Sequence, residues 1–343
     1  MDYPSLLTNL PPPPPVLTPP APAPTLILED NPPFPFRFSP CNAIHLAILI
    51  CTSPILVLLF ILSLFEKLSH IGNQDLFKQY LWRYLWHFSS SFLGLIPILL
   101  PTTLGSCIWR FPISRKLISK KSKLGLRTEA RYCMTFDDAP GDCLEEFEEL
   151  LDVLKKFNVK STFFVTSSFI TDANAVSLRR AVSEGHELAN HMPEDRSYFF
   201  YGKEEFRAAL KKAEGALVEV RAKNGSLPRL FRPPNGQMSR VMGKVLKEEG
   251  YTSVMTDCWS NDPMVAGDST NALCEGAVKY HVKFNLDWIK DGSVAVFHVP
   301  GRDRRKQVVE VMRRLLGELE RRGMKGVTVG GMMIKMKKEK EKD

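Results

Sequence analysis

From Arg131 onward, short apolar runs alternate with longer stretches of helical periodicity. No other feature constrains the fold as much. The runs Arg131 to Phe136, Ser161 to Thr166, His186 to Asn190, Leu230 to Phe231, Tyr251 to Met255, Ser293 to Phe297 and Gly326 to Val329 read as strands. Between the first two, Leu144, Phe147, Leu151, Leu154 and Phe157 recur at helical spacing. Helices are also expected over 173–184, 206–220, 241–249, 270–284 and 304–322, with Gly185 and Gly250 closing two of them. Strand and helix units joined by short connections imply an α/β fold with a parallel sheet. Residues with chemical potential fall just after separate strands: Asp137, Asp138, His191, Arg232, Asp262 and His298. Convergence from that many strands favours a barrel, whose binding site lies at the C-terminal rim.

The first 130 residues follow other rules. Residues 1–42 are proline-rich, with Pro11 to Pro15 unbroken. Such a segment is expected to be disordered and to sample polyproline II, so it is a spacer or a ligand for a proline-reading module. Ala43 to Phe65 is uncharged and long enough to cross a bilayer as a helix. Tyr84 to Ile108 is a second apolar stretch, but Pro97, Pro101 and His87 leave open whether it spans or lies in the interface. Residues 43–109 thus read as a membrane region with one or two helices, and 110–129 as a basic linker. A charged tail, 331–343, is expected to fray into solvent. The net charge of +8 sits largely in that linker and tail, without the aromatic interleaving of a nucleic-acid surface, so nucleic acid is not expected as a partner. Seven cysteines without CxxC spacing suggest neither a zinc ribbon nor a disulfide framework, and one bridge among Cys133, Cys143, Cys258 and Cys274 stays open.

The chemistry concentrates first at Met134-Thr135-Phe136-Asp137-Asp138, where an apolar strand ends in two adjacent acids before Pro140. Two carboxylates so placed repel, and a divalent cation would offset their charge. His191 to Asp195, Arg232 to Gly236, Trp259 to Asp262 and Val296 to His298 follow in order. Together these segments resemble the five motifs of the NodB-type polysaccharide deacetylases, the chitin deacetylase-like enzymes of carbohydrate esterase family 4. The resemblance covers residues 130–330.

The resemblance implies a distorted (β/α)7 TIM-like barrel and a hydrolase that removes N-acetyl groups from a chitin-like amino-sugar glycan. It implies Asp137 as general base, with Asp138, His191 and Asp195 as ligands of a divalent cation, zinc first and cobalt or manganese as alternatives. Asp195 stands where the family has a second histidine. Arg232 would pair with Asp137, Asn235 would lend its backbone amide to the oxyanion, and Val296 would face the acetyl methyl. His298 would be the general acid, oriented by Asp262, with Asp257 as the alternate. The implied partners are an N-acetylated glycan and a membrane. Glycan substrates suggest a lumenal or extracellular domain, whereas the basic flank suggests a cytosolic one. The altered second and fourth motifs keep two other readings open: a C–N hydrolase acting on a non-sugar amide, and an inactive membrane-tethered glycan-binding protein.

Overall fold

The computed structural model describes residues 129–221, 228–263, 265, 275–299 and 307–341. The proline-rich head, both apolar stretches and the basic linker up to residue 128 lie outside the described residues, and so do the membrane and proline-module readings that rest on them. Among the described residues no helix is long and apolar enough to cross a membrane.

The alternation builds the order β1 (Ala130–Ala139), α1 (Leu144–Lys156), β2 (Thr162–Val165), α2 (Asp172–Ser183), β3 (Glu187–Asn190), α3 (Lys203–Val220), β4 (Arg229–Phe231), α4 (Arg240–Glu248) and β5 (Tyr251–Ser253). Then come β6 (Cys258–Trp259), α5 (Glu275–Trp288), β7 (Val294–His298), α6 (Val308–Arg321), β8 (Met324–Gly326) and α7 (Val329–Lys340). Local signals set the helix ends. Thr171 and Asn174 form a reciprocal capping box at the start of α2. Helix α1 opens with Glu145 and Glu146 and closes with Lys155 and Lys156, complementing the helix dipole.

All described strand pairs are parallel, in the order β5-β4-β3-β2-β1-β7-β6, with β8 also paired to β1. This is the distorted (β/α) half-barrel the alternation implies. The hydrogen-bonded order ends at β5 on one side and β6 on the other, and the chain itself bridges them through residues 254–257. Strand β1 is the centre: from Cys133 to Ala139 it is buried on both faces, as parallel strands covered by helices require. One core cluster packs α1, α2, α5 and α6 against the sheet. A second lies under α3 and α4, and a third fills the barrel around Cys133, Phe164, Ala189, Leu230, Val254 and Val294.

Three expectations change. The run Tyr251 to Met255 stops pairing at Ser253, and the two-residue strand β6 follows. The last strand is Met324–Gly326, not Gly326 to Val329. The segment read as a fraying tail is largely helix α7, with Val329 and Met332 buried in the barrel cluster. Its Lys and Glu content hid an apolar stripe that closes the barrel floor. Cys133, Cys143 and Cys258 are free thiols, and Cys274 lies outside the described residues.

Candidate active site

The parallel register places the two ends of the motif series side by side. Asp137 of β1 pairs directly with His298 of β7, and Phe136 with Phe297. Val296 lies two residues before His298 on the same face of β7 and is buried. Asp138 leaves the strand with a left-handed backbone (φ 61°), a conformation that residues with a Cβ adopt at a cost. That turn aims two adjacent carboxylates at one rim instead of at opposite faces of a strand. Thr166, the first residue after β2, donates its hydroxyl to Asp138 Oδ1 at 3.3 Å.

Arg232 is the pivot. It follows β4, is buried, and stacks its guanidinium 4.1 Å from the Phe164 ring centre. Its Nη1 donates to Asp137 Oδ1 at 2.7 Å and to Thr135 Oγ1 at 2.8 Å. Its Nε and Nη2 each donate at 3.1 Å to the carbonyls of Val254 and Met255. Those carbonyls belong to the segment bridging β5 and β6, so the gap in the barrel supplies acceptors that a continuous ladder would have used. Asp137 thus has a buried, fixed guanidinium as its partner. The Arg232 carbonyl accepts from His191 Nδ1 at 2.8 Å, which puts the proton there and leaves Nε2 with a lone pair. Nε2 lies 3.8 Å from Asp138 Oδ1 and 3.9 Å from Asp137 Oδ2.

A lone pair facing two carboxylates is unfavourable unless positive charge lies among them. Two ligands each about 2.1 Å from an ion can stand up to about 4.2 Å apart, so Asp138 and His191 fit a shared cation. The Nδ1 bond to a backbone carbonyl is the outer support that metal-binding histidines commonly have. Asp195, the third expected ligand, lies in the loop that follows His191. Among the described residues no group of three or more His, Cys, Asp or Glu side chains is arranged to hold a metal ion. The segment from His191 to Asp195 is a loop, not a helical turn. Met192 is left-handed (φ 69°), and the carbonyls of Met192 and Pro193 accept from Ser167 and Ser168 of the next loop.

Across the rim, His298 Nδ1 lies 3.1 Å from Asp262 Oδ1, and the His298 amide donates to Asp262 Oδ2 at 2.8 Å. Asp262 is fully buried. Burial alone would push its carboxyl up, but the His298 charge and hydrogen bonds outweigh it and hold the group below the usual carboxylate range. Of the two candidate aspartates, Asp262 is the one in contact with His298. Asp257 accepts from Ser293 Oγ and the Val294 amide and braces β7 instead. Asn235 occupies an exposed three-residue turn after Arg232, again left-handed (φ 56°). Sequence reasoning missed Thr135 and Thr166; a hydroxyl beside an acidic strand end was the available signal.

Comparison with known proteins bears on the family and the fold. Residues 127–254 match the family model for polysaccharide deacetylase. These residues belong to the polysaccharide deacetylase family. A peptidoglycan-N-acetylglucosamine deacetylase of Bacillus cereus is 28% identical over 232 residues, 67% of this chain and 93% of that protein. A chitooligosaccharide deacetylase of Bradyrhizobium is 28% identical over 200 residues, 55% of this chain and 84% of the relative. Among solved structures, a peptidoglycan N-acetylglucosamine deacetylase shares the fold with a TM-score of 0.54 at 23% identity, over 66% of this chain and 92% of that one. A family 4 acetyl xylan esterase from Clostridium thermocellum, solved with a cobalt ion, does so with a TM-score of 0.51 at 23% identity, over 60% and 90%. The polysaccharide deacetylase domain is thus a hydrolase of the class that acts on carbon–nitrogen bonds in linear amides.

Proposed function

We propose that the domain hydrolyses the acetamide of an N-acetylated amino-sugar glycan, with a divalent cation held by Asp138 and His191. The observation that carries this reading is the pairing of Asp137 with His298 across adjacent strands, each braced by its own buried counter-ion, Arg232 or Asp262. A base and an acid therefore flank a single point on the rim. A bound cation would supply Lewis-acid polarisation of the amide carbonyl and a lower pKa for an attacking water. Asp137, oriented by Arg232, accepts the proton of that water, a contribution of roughly 10²- to 10⁴-fold. The Asn235 backbone amide is the donor proposed for the developing oxyanion, and losing one such donor typically costs about 3 kcal/mol. Val296 lines the wall proposed for the acetyl methyl. His298, its Nδ1 fixed on Asp262, presents Nε2 from the opposite edge of the ring to protonate the leaving amine. Acetate and a free amino sugar are the products.

The names of the relatives support peptidoglycan and chitooligosaccharide strands as the first substrates to try. The apolar stretch Ala43 to Phe65 supports a membrane tether for the domain. The test is acetate release by the full chain from both glycans with zinc, cobalt or manganese supplied. Turnover should stop with a chelator and in Asp138→Asn. Protein that binds the cation yet frees no acetate from any glycan or simple amide would overturn the proposal. Turnover of simple amides alone would move the substrate class, and glycan binding without turnover would leave a binding protein.

A further inference from the structure

Helix α5 carries two polar side chains, one turn apart, that are completely buried: His281 and Asn285. Neither contacts Asp137, Asp138 or Arg232, and no motif includes them. Both face the segment that runs from β6 to Asp262. The Val265 carbonyl can only accept, so His281 Nε2 carries the proton that bridges them at 2.6 Å. His281 Nδ1 is then the acceptor for the Ser260 hydroxyl at 2.8 Å. Burial holds the imidazole below its usual range, in keeping with this neutral form. Ser260 and Val265 are the two ends of one turn, which the Val265 amide closes onto the Asn261 carbonyl at 3.0 Å. Within that turn Asn261 is left-handed (φ 57°), and Asp262 lies next to it. Asn285 completes the clamp, donating to the His281 carbonyl at 2.8 Å and accepting from the Cys258 thiol at 3.2 Å.

A buried imidazole whose nitrogens are both used on the two ends of a turn fixes that turn's shape. A neutral hydrophobic ring of similar size would fill the volume more cheaply, since each buried polar atom must be matched by a partner. What the imidazole adds is geometry. The turn carries the carboxylate that sets the His298 ring, and a misplacement near 1 Å in such a chain of contacts can cost about 10²-fold in rate.

We propose that His281 is a positioning residue for the acid step: it pins the Ser260–Val265 turn so that Asp262 holds His298 oriented toward the leaving amine. The inference rests on the reading of His298 and Asp262 as the acid pair. The test compares two substrates in the full chain with zinc present. An N-acetylglucosamine oligomer needs its amine protonated, whereas 4-nitrophenyl acetate has a leaving group that needs no proton. His281→Phe should lower kcat on the oligomer by about 10²-fold with little change in KM, and lower kcat on the aryl ester far less. His281→Gln, which can donate to Val265 and accept from Ser260, should recover most of the loss. Ser260→Ala removes one anchor while leaving the imidazole in place and carries the same test should His281→Phe not fold. Equal losses on both substrates would mean a merely structural histidine and overturn the proposal, and so would an unchanged oligomer rate. Asp262→Asn separates the two ideas. If it spares oligomer turnover, the acid-pair reading itself fails; if it depresses the oligomer selectively while His281→Phe and Ser260→Ala do not, only the positioning role fails.

Discussion

The barrel buries carboxylates at both ends and treats them in opposite ways. At the rim, Asp137 meets Arg232 at 2.7 Å and Asp262 meets His298 at 3.1 Å. On the floor, Glu187 at the start of β3 is equally buried, yet its hydrogen-bond partners are neutral. Oε2 accepts from the Thr162 hydroxyl at 2.8 Å and from the Gly330 amide at 3.0 Å. The consequence is electrostatic. Burial raises Glu187, and its neutral donors, with a smaller influence from the Arg221 charge, offset this only in part. Asp262, under the same burial penalty, ends below the usual range because a cationic partner faces it. Burial alone therefore does not mark a functional acid in this fold; a buried acid with an ionic partner does.

The contrast breaks most visibly at the rim. Asp138→Asn keeps volume and removes charge, so acetate release should fall by at least about 10³-fold while the domain stays folded, since two acids no longer compete for one small space. Retained turnover in this variant would show that Asp138 is no ligand. Arg232→Met should be the most destabilising rim change, by about 3–5 kcal/mol, because it strands the Asp137 carboxylate in the interior without its cation. Urea unfolding measures it, and a loss below about 1 kcal/mol would mean that water already screens the pair.

A floor change of middling size is Gly330→Ala. A Cβ there would collide with the Glu187 carboxylate and crowd Pro228 Cδ at 3.2 Å, so the buried Glu187 side chain must shift away from its Thr162 and Gly330 donors. Thermal stability should drop while kcat of the remaining folded protein holds, because α7 lies at the end opposite the motif residues. A matching loss of kcat would show that the floor and the rim are coupled.

The rim was far more legible in the sequence than the floor. The motif acids, His191, Arg232 and His298 each follow an apolar run, and in a parallel barrel every strand end points to one rim. Helix α7 was misread because Val329, Met332, Met333 and Met336 are scattered among lysines, and their burial depends on a barrel floor that no local window contains. The stub β6 was missed because two residues carry no periodicity, and only the register to Ala295 and Val296 defines it. Glu187 and His281 were passed over for one reason: a buried polar residue looks ordinary in sequence until its partners, 143 and 21 residues away, are known.

The smallest effect sharpens the comparison most. A carboxyl whose folded-state pKa lies above its unfolded value, about 4.3 for glutamate, binds its proton more tightly in the fold. The stability it gives is complete below that unfolded value and is lost as pH rises through the folded one. Glu187 is such a group. Asp262 runs the other way: its contribution is present above the unfolded value and lost as pH falls through the depressed folded one. Glu187→Gln keeps acceptors for Thr162 and Gly330 but cannot ionise. Its unfolding free energy should match the parent in acid and exceed it once Glu187 ionises in the parent, with a slope difference of at most about 1.4 kcal/mol per pH unit. Parallel curves for parent and variant would mean that Glu187 is as readily charged as the rim acids, and the distinction between a wired rim and a neutral floor would disappear.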